Sequence, residues 1–147
     1  MTTLDPDAAR QLFGAARVAR LATVDADARP HLVPIVFVVR GDSLFSAVDA
    51  KPKRSQELRR LANIQANPAV SVLVDEYDED WTALRWARAD GVAEVLAPDH
   101  PQARAAVVLL AAKYRQYREQ PPPGLVLAVE VARWSGWSFV APKPQSH

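Results

Sequence analysis

The chain has 147 residues, a formal net charge of +1, 49% hydrophobic and 24% charged residues. This is the size and balance of one globular domain: it excludes wholesale disorder and offers no general basic excess for nucleic acid. With no cysteine, disulfides, thiolate metal sites and a cysteine nucleophile are removed together.

The start, Met1 to Asp7, lacks the charged and apolar regions of a signal peptide. No stretch approaches the roughly 18 apolar residues of a membrane span. The expectation is a cytoplasmic protein with no membrane partner, built as a single domain over residues 1–147. Asp5-Pro6 reads as a helix cap followed by proline in the first turn, and Ala9, Leu12, Phe13 and Ala16 recur at helical spacing, so a helix is expected over 6–16. Val18 to Val24 is a strand, and Asp25 to Arg29 a turn. Pro30 to Arg40 is a long β-branched run; Pro34 lacks an N–H, which places the run at an edge, at a bulge or off the ladder. Gly41-Asp42 turns the chain into a strand over Ser43 to Val48.

Ser55 is a natural N-cap for a helix over 56–65, stopped by Asn67-Pro68. Ala69 to Asp75 is a strand, followed by an acidic loop through Asp80 and a long strand from Leu84 to Leu96. Asp99 is expected to cap a helix carrying Val107, Leu110, Ala111, Tyr114 and Tyr117. Pro121-Pro122-Pro123-Gly124 interrupts it, and Leu125 to Val140 supplies one strand or two. Residues 141–147 are expected to form a flexible tail. Hairpin-linked strands with interspersed helices predict a mainly β, α+β fold: an antiparallel barrel of six to seven strands with three helices.

The chemical anomaly is Lys51-Pro52-Lys53-Arg54 ahead of a helix start. The positive end of a helix dipole favours carboxylates, not three cations. A bound anion reverses the penalty, because Lys51, Lys53, Arg54, the Ser55 hydroxyl and free backbone N–H groups then converge on one phosphate. A solvated basic loop, partly balanced by Glu57, fits the same spacing. His31, His100 and His147 show no metal-ligand spacing, and the acidic loop lacks EF-hand register, so no metal is expected. Nucleophile-elbow, P-loop and dinucleotide fingerprints are absent, and no catalytic side chain is assigned. Trp81, Trp86, Trp134 and Trp137 can wall a planar ring or pack the core or an interface.

Three further stretches carry a family resemblance. Ala19-Arg20-Leu21-Ala22-Thr23-Val24 with Pro30-His31-Leu32-Val33-Pro34-Ile35-Val36-Phe37 resembles the opening hairpin of the pyridoxamine-phosphate-oxidase-like split β-barrel proteins. Leu44-Phe45-Ser46-Ala47, then Lys51-Pro52-Lys53-Arg54-Ser55 and Leu58-Arg59-Arg60-Leu61, resembles their next strand and phosphate-binding helix start; Asn67-Pro68-Ala69-Val70-Ser71-Val72-Leu73 resembles the strand after it. Tyr77-Asp78-Glu79-Asp80-Trp81, Arg88-Ala89-Asp90-Gly91 and Trp134-Ser135-Gly136-Trp137 resemble an actinobacterial subgroup described as dependent on the deazaflavin coenzyme F420.

The resemblance implies a split, FMN-binding-like barrel and a homodimer with two cofactor sites along its interface. It implies a cofactor ring flanked by backbone at His31, Val33 and Pro34 and at Ser46, Ala47 and Val48, with its phosphate held by Lys51, Lys53, Arg54 and Ser55. Trp81, Arg85, Trp134 and Trp137 would complete the pocket from the partner subunit. The cofactor it implies is F420, with FMN as the alternative, and the activity is hydride transfer to a small organic acceptor. An FMN oxidase or reductase, or a carrier without turnover, are the competing readings. A polyglutamate tail would need a basic groove, for which Arg59, Arg60, Arg85 and Arg88 are candidates. The C-terminal Arg-x-His pattern of vitamin B6 oxidases is missing.

Overall fold

The computed structural model describes residues 2–48 and 55–140, with backbone alone at 55–58. The expected tail over 141–147 and the run Lys51, Lys53 and Arg54 lie outside the described residues. The described elements run in the order β1 (Thr2–Leu4), α1 (Pro6–Ala15), β2 (Ala19–Val24), β3 (Pro30–Ile35), β4 (Val38–Arg40), β5 (Ser43–Ala47), α2 (Ser55–Ala66), β6 (Ala69–Glu76), β7 (Arg85–Leu96), α3 (Pro101–Lys113), α4 (Arg115–Glu119) and β8 (Val126–Ser138). A short 3-10 turn, Trp81–Ala83, precedes β7.

All eight strands join one antiparallel sheet of order β3-β2-β6-β7-β8-β5-β4, with β1 pairing the far end of β8. The sheet is open. Its two terminal strands, β3 and β4, are nonetheless consecutive in the chain, with Val36 and Phe37 alone between them. Ile35 and Val38 are therefore no more than roughly 11 Å apart, and the split in the barrel closes at this corner. Pro34 sits on the terminal strand β3, the edge placement that its missing N–H demands.

The strand patterns follow from what covers each face. In β5, Leu44 points into the barrel and Phe45 points out beneath α3, so both are buried. In β8, Leu127 and Val129 face inward while Val126 and Ala128 meet Ala103, Ala106 and Leu110 of α3. These strands read as continuous apolar runs because both faces are covered. Helix α1 plugs one end: Phe13 is fully buried, edge-on to Phe37 at 5.8 Å and to Trp134 at 5.3 Å. Asp5 caps α1 by accepting from the Ala8 N–H at 2.8 Å.

The strand pair β7–β8 changes register between Asp90 and Gly91, leaving Ala132 unmatched. Gly91 is required here, since a Cβ would lie 2.0 Å from the Glu130 carbonyl oxygen. Gly136 serves the other end: a Cβ there would lie 2.7 Å from the Trp86 carbonyl oxygen and 3.0 Å from Leu4 Cδ1.

Three expectations are corrected. Among the described residues there are eight strands and four helices: β1 is added, the run 30–40 divides into β3 and β4, and the third helix divides into α3 and α4. The cap of α3 is His100, whose Nδ1 accepts from the Gln102 N–H at 3.1 Å, leaving Pro101 in the first turn. Of the one strand or two expected over 125–140, the chain forms one, with a bulge. Helix α2 begins at Ser55 itself.

Candidate functional site

The corner at Val36 and Phe37 organises the region. Ser46 Oγ donates to the Val36 carbonyl at 2.7 Å, so the predicted contact residue Ser46 is buried and braces the corner with its side chain. The Phe37 N–H donates to the Tyr114 hydroxyl at 3.1 Å, which lies 3.0 Å from the Phe37 carbonyl and 2.9 Å from that of Arg17. The hydroxyl has one proton, so these two carbonyls compete for it. Lys113 Nζ also donates to the Phe37 carbonyl, at 3.0 Å, and stands 3.9 Å from the centre of the Phe37 ring. Arg17 Nη1 donates to the Lys113 carbonyl at 2.8 Å. These bonds explain the break between α3 and α4 without glycine or proline: Tyr114 leaves helical geometry with φ −115° and ψ 123°.

Two cavities flank the break. One, about 470 Å³, is lined by Arg17, Val18, Val36, Lys113, Tyr114, Arg115, Gln116 and Tyr117. The other, about 310 Å³, shares Gln116 and Tyr117 and reaches Val48 and Pro121 to Pro123. Val48 is 2% exposed and anchored by its N–H to the Leu125 carbonyl at 2.9 Å. The expected contact strand β5 therefore ends at a real cavity. Burial first, and then repulsion by Arg17, lower the Lys113 amine to about 8. Burial raises the Tyr114 hydroxyl, opposed by its bond to the Phe37 backbone and by Arg17.

On β3, the half-buried His31 lies opposite Thr23, and its Nδ1 has no hydrogen-bond partner among the described residues. Thr23 is itself buried and accepts from Asn63 Nδ2 of α2 at 3.1 Å, which ties α2 to the β2–β3 hairpin. Asp25 Oδ1 accepts from the Asp27 and Arg29 N–H groups at 2.8 and 2.9 Å in the hairpin turn. The Arg29 backbone bond is the main cause holding the Asp25 carboxyl below its usual range; Arg59 of α2 adds a smaller attraction. Edge strand, orphaned His31 nitrogen and α2 thus form one flank. Val33 is half-buried on this strand, while Leu32 and Pro34 are exposed on the opposite face.

The expected partner-subunit contacts divide. Trp134 belongs to the core: it is 8% exposed, and its indole N–H donates to Asp42 Oδ1 at 2.9 Å. Arg85 closes a bidentate pair with Glu76 at 2.8 and 2.9 Å, and that bond raises its pKa. Trp81 is 63% exposed, with its indole N–H on the Tyr77 hydroxyl at 3.1 Å. Trp137 is half-buried, opposite Trp86 and edge-on to Phe139 at 6.3 Å. Of the basic-groove candidates, Arg88 pairs with Asp90 at 3.0 Å and Arg60 is buried, whereas Arg59 is exposed.

The cavity-lining residues that sequence reasoning missed are Lys113, Tyr114, Gln116 and Tyr117. Their signal was a lysine and two tyrosines at a helix end; the tyrosines read as part of the helix's apolar face, and the sequence assigns Lys113 no role. Among the described residues no three His, Asp or Glu side chains cluster as a metal site, and no helix is long and apolar enough to cross a membrane.

An open antiparallel sheet whose terminal strands meet at one corner defines a split β-barrel with helices. Residues 5–138 match the pyridoxamine 5'-phosphate oxidase family, and the chain belongs to it. Among solved structures, it is similar to a FAD-binding protein from Mesorhizobium loti, at 24% identity and TM-score 0.70 over 92% of this chain and 95% of that one. A conserved protein from Mycobacterium tuberculosis aligns at 18% identity and TM-score 0.74 over 98% and 92%. The heme storage protein HutZ from Vibrio cholerae aligns at 18% identity and TM-score 0.68 over 88% and 90%. No curated protein matches the sequence significantly.

Proposed function

We propose that the chain binds a flavin-like cofactor, coenzyme F420, and transfers hydride between it and a small organic acceptor. The observation that carries this reading is the open β3 edge with its orphaned His31 Nδ1, on the hairpin that Asn63 ties to α2, in a family of flavin-type oxidoreductases. An edge strand offers unpaired backbone N–H and C=O groups, and His31 adds a nitrogen in need of a partner. A planar ring edged with carbonyl and N–H groups supplies both.

His31, Val33 and Pro34 would flank that ring from β3, and Ala47 and Val48 from the end of β5. Lys51, Lys53 and Arg54 would hold the cofactor phosphate ahead of α2, with Ser55 at the helix start. The bound cofactor supplies the hydride chemistry. The chain supplies position, a half-buried wall and exclusion of water. Exposed Arg59 would meet an anionic tail, since Arg85 and Arg88 already hold carboxylates. The name of the Mesorhizobium relative supports a flavin of the ordinary kind equally well, so FMN is the alternative. A carrier without turnover uses the same binding residues.

The reading extends to a homodimer with two such sites. The outer face of β3, β2, β6 and β7 carries Leu32 at 66% exposure, with Leu73 and Trp86 on the same face in successive pairs. Trp81 and Trp137 are the contacts this dimer would bring to the partner's site.

Fluorescence titration with F420 and FMN tests the proposal on the wild type and on the double variant Lys53→Ala, Arg54→Ala. Submicromolar to micromolar binding, weakened at least about tenfold in the variant, is expected. Failure of both cofactors to bind below about 1 mM, roughly 4 kcal/mol of binding energy, sinks it. Equal affinity in the variant would remove the phosphate clamp alone. Turnover of reduced cofactor with an acceptor panel then separates enzyme from carrier.

A further inference from the structure

Lys113 is placed unlike a structural lysine. Its Nζ sits between the Phe37 and Tyr114 rings, 3.9 and 5.2 Å from their centres, and lines the 470 Å³ cavity. No carboxylate among the described residues pairs with it; its one hydrogen-bond acceptor is the Phe37 carbonyl. The charged group acting on it is cationic, Arg17 from the α1–β2 link; Arg115 of α4 lines the same cavity but pairs with Glu119 at 3.4 Å, and the Tyr114 hydroxyl serves the backbone. Arg118 turns away to the Ala111 and Ala112 carbonyls. Apolar walls and the cationic Arg17 both favour the neutral amine. A neutral amine that donates one N–H to Phe37 keeps a second N–H and its lone pair.

We propose that Lys113 is a carbonyl-reactive amine, and that the cavity beside it admits a small aromatic aldehyde and presents its carbonyl carbon to Nζ. Val36, Tyr114 and Tyr117 supply the apolar and aromatic walls for a planar ring. The Nζ lone pair attacks the carbonyl carbon, and the carbinolamine loses water. The product is a Lys113 imine: the C=N bond replaces the C=O bond, and no oxidant or reductant is consumed. The inference does not depend on which redox cofactor the protein holds.

The test incubates the full-length protein at pH 7 with benzaldehyde and cyanoborohydride, which reduces the imine to a stable benzyl amine, and maps the adduct by peptide mass spectrometry. The other lysines, Lys51, Lys53 and Lys143, are internal references. So is the α-amine, whose ordinary pKa of about 8 matches the basicity of Lys113 without its cavity. Lys113 is expected to react at least about tenfold faster than the other lysines, as its lowered basicity requires. It is also expected to saturate with benzaldehyde while the α-amine responds linearly. Equal labelling of all four lysines overturns the proposal, and so does a non-saturating Lys113 rate no greater than that of the α-amine. Lys113→Arg should lose the saturable adduct at unchanged circular dichroism; should that variant fail to fold, the wild-type map decides alone.

Discussion

The hydroxyl of Tyr114 brackets the backbone of Phe37, accepting from its N–H at 3.1 Å and lying 3.0 Å from its carbonyl oxygen. Phe37 is half of the two-residue link between the sheet's terminal strands, so this side chain substitutes for the ladder that β3 and β4 do not form. Tyr114→Phe strips the partner from a buried N–H and leaves the ring in place. The cost of an unsatisfied buried donor is about 1–3 kcal/mol. Urea unfolding should show that loss, and an unchanged midpoint would mean that the corner does not need the clip.

Gly91→Ala probes the bulge between β7 and β8. Its new methyl would fall 2.0 Å from the Glu130 carbonyl oxygen, against backbone that cannot rotate away. Overpacking of this kind costs about 1–3 kcal/mol or more. Gly14, with nothing within 4 Å of an added Cβ, lies within helix α1, where alanine is the better helix former. Gly14→Ala should be neutral or stabilising by up to about 1 kcal/mol. The pair of melting curves should diverge in opposite directions, and parallel shifts would refute the packing argument.

Lys113 should leave a signature in the pH dependence of stability. Its pKa falls from an ordinary 10.5 to about 8 on folding, because burial and Arg17 disfavour the cation. Between those values the unfolded chain holds more protons than the folded one, so stability rises with pH across this window and the gain is absent below pH 8. In Lys113→Met this contribution vanishes, and the slope of unfolding free energy against pH between 8 and 10.5 should flatten. An identical slope in wild type and variant would show that the amine is not desolvated.

The local signals in the sequence were reliable where local chemistry decides the outcome. Asp5 with Pro6, Asn67 with Pro68 and the Gly41-Asp42 turn each act within a few residues, and each marks an element boundary. The unbroken β-branched run from Pro30 to Arg40 hid the division at Val36 and Phe37. That division is made by Ser46 and Tyr114, ten and 77 residues away in sequence. For the same reason the helix break at Tyr114 carried no glycine or proline to announce it. Among the tryptophans, spacing could not separate Trp134 from Trp137: one packs on Phe13 in the core and reaches Asp42 in the β4–β5 turn, and the other lies on the outer face. The three-residue strand β1 is too short for any periodicity, and forms because Gly136 lets it approach.

The proposed dimer can be tested through Leu32. It lies on the outer face of β3, 66% exposed, in register with Ala22 and, through β2, with Ser71; Leu73 lies one pair along. Four strands thus present apolar side chains on a face where Arg20–Asp75, 3.5 Å apart, is an exposed ion pair that adds little by itself. In a two-fold dimer each interface substitution acts twice. Burying a leucine is worth about 2 kcal/mol, so Leu32→Glu removes roughly 4 kcal/mol from a dimer built on this face, on the order of a thousandfold in its dissociation constant. The position is exposed within one chain, so the monomer's melting temperature should be unaffected. Sedimentation velocity should find the wild type dimeric and the variant monomeric at micromolar concentration; a variant that still sediments as a dimer would move the interface to another face.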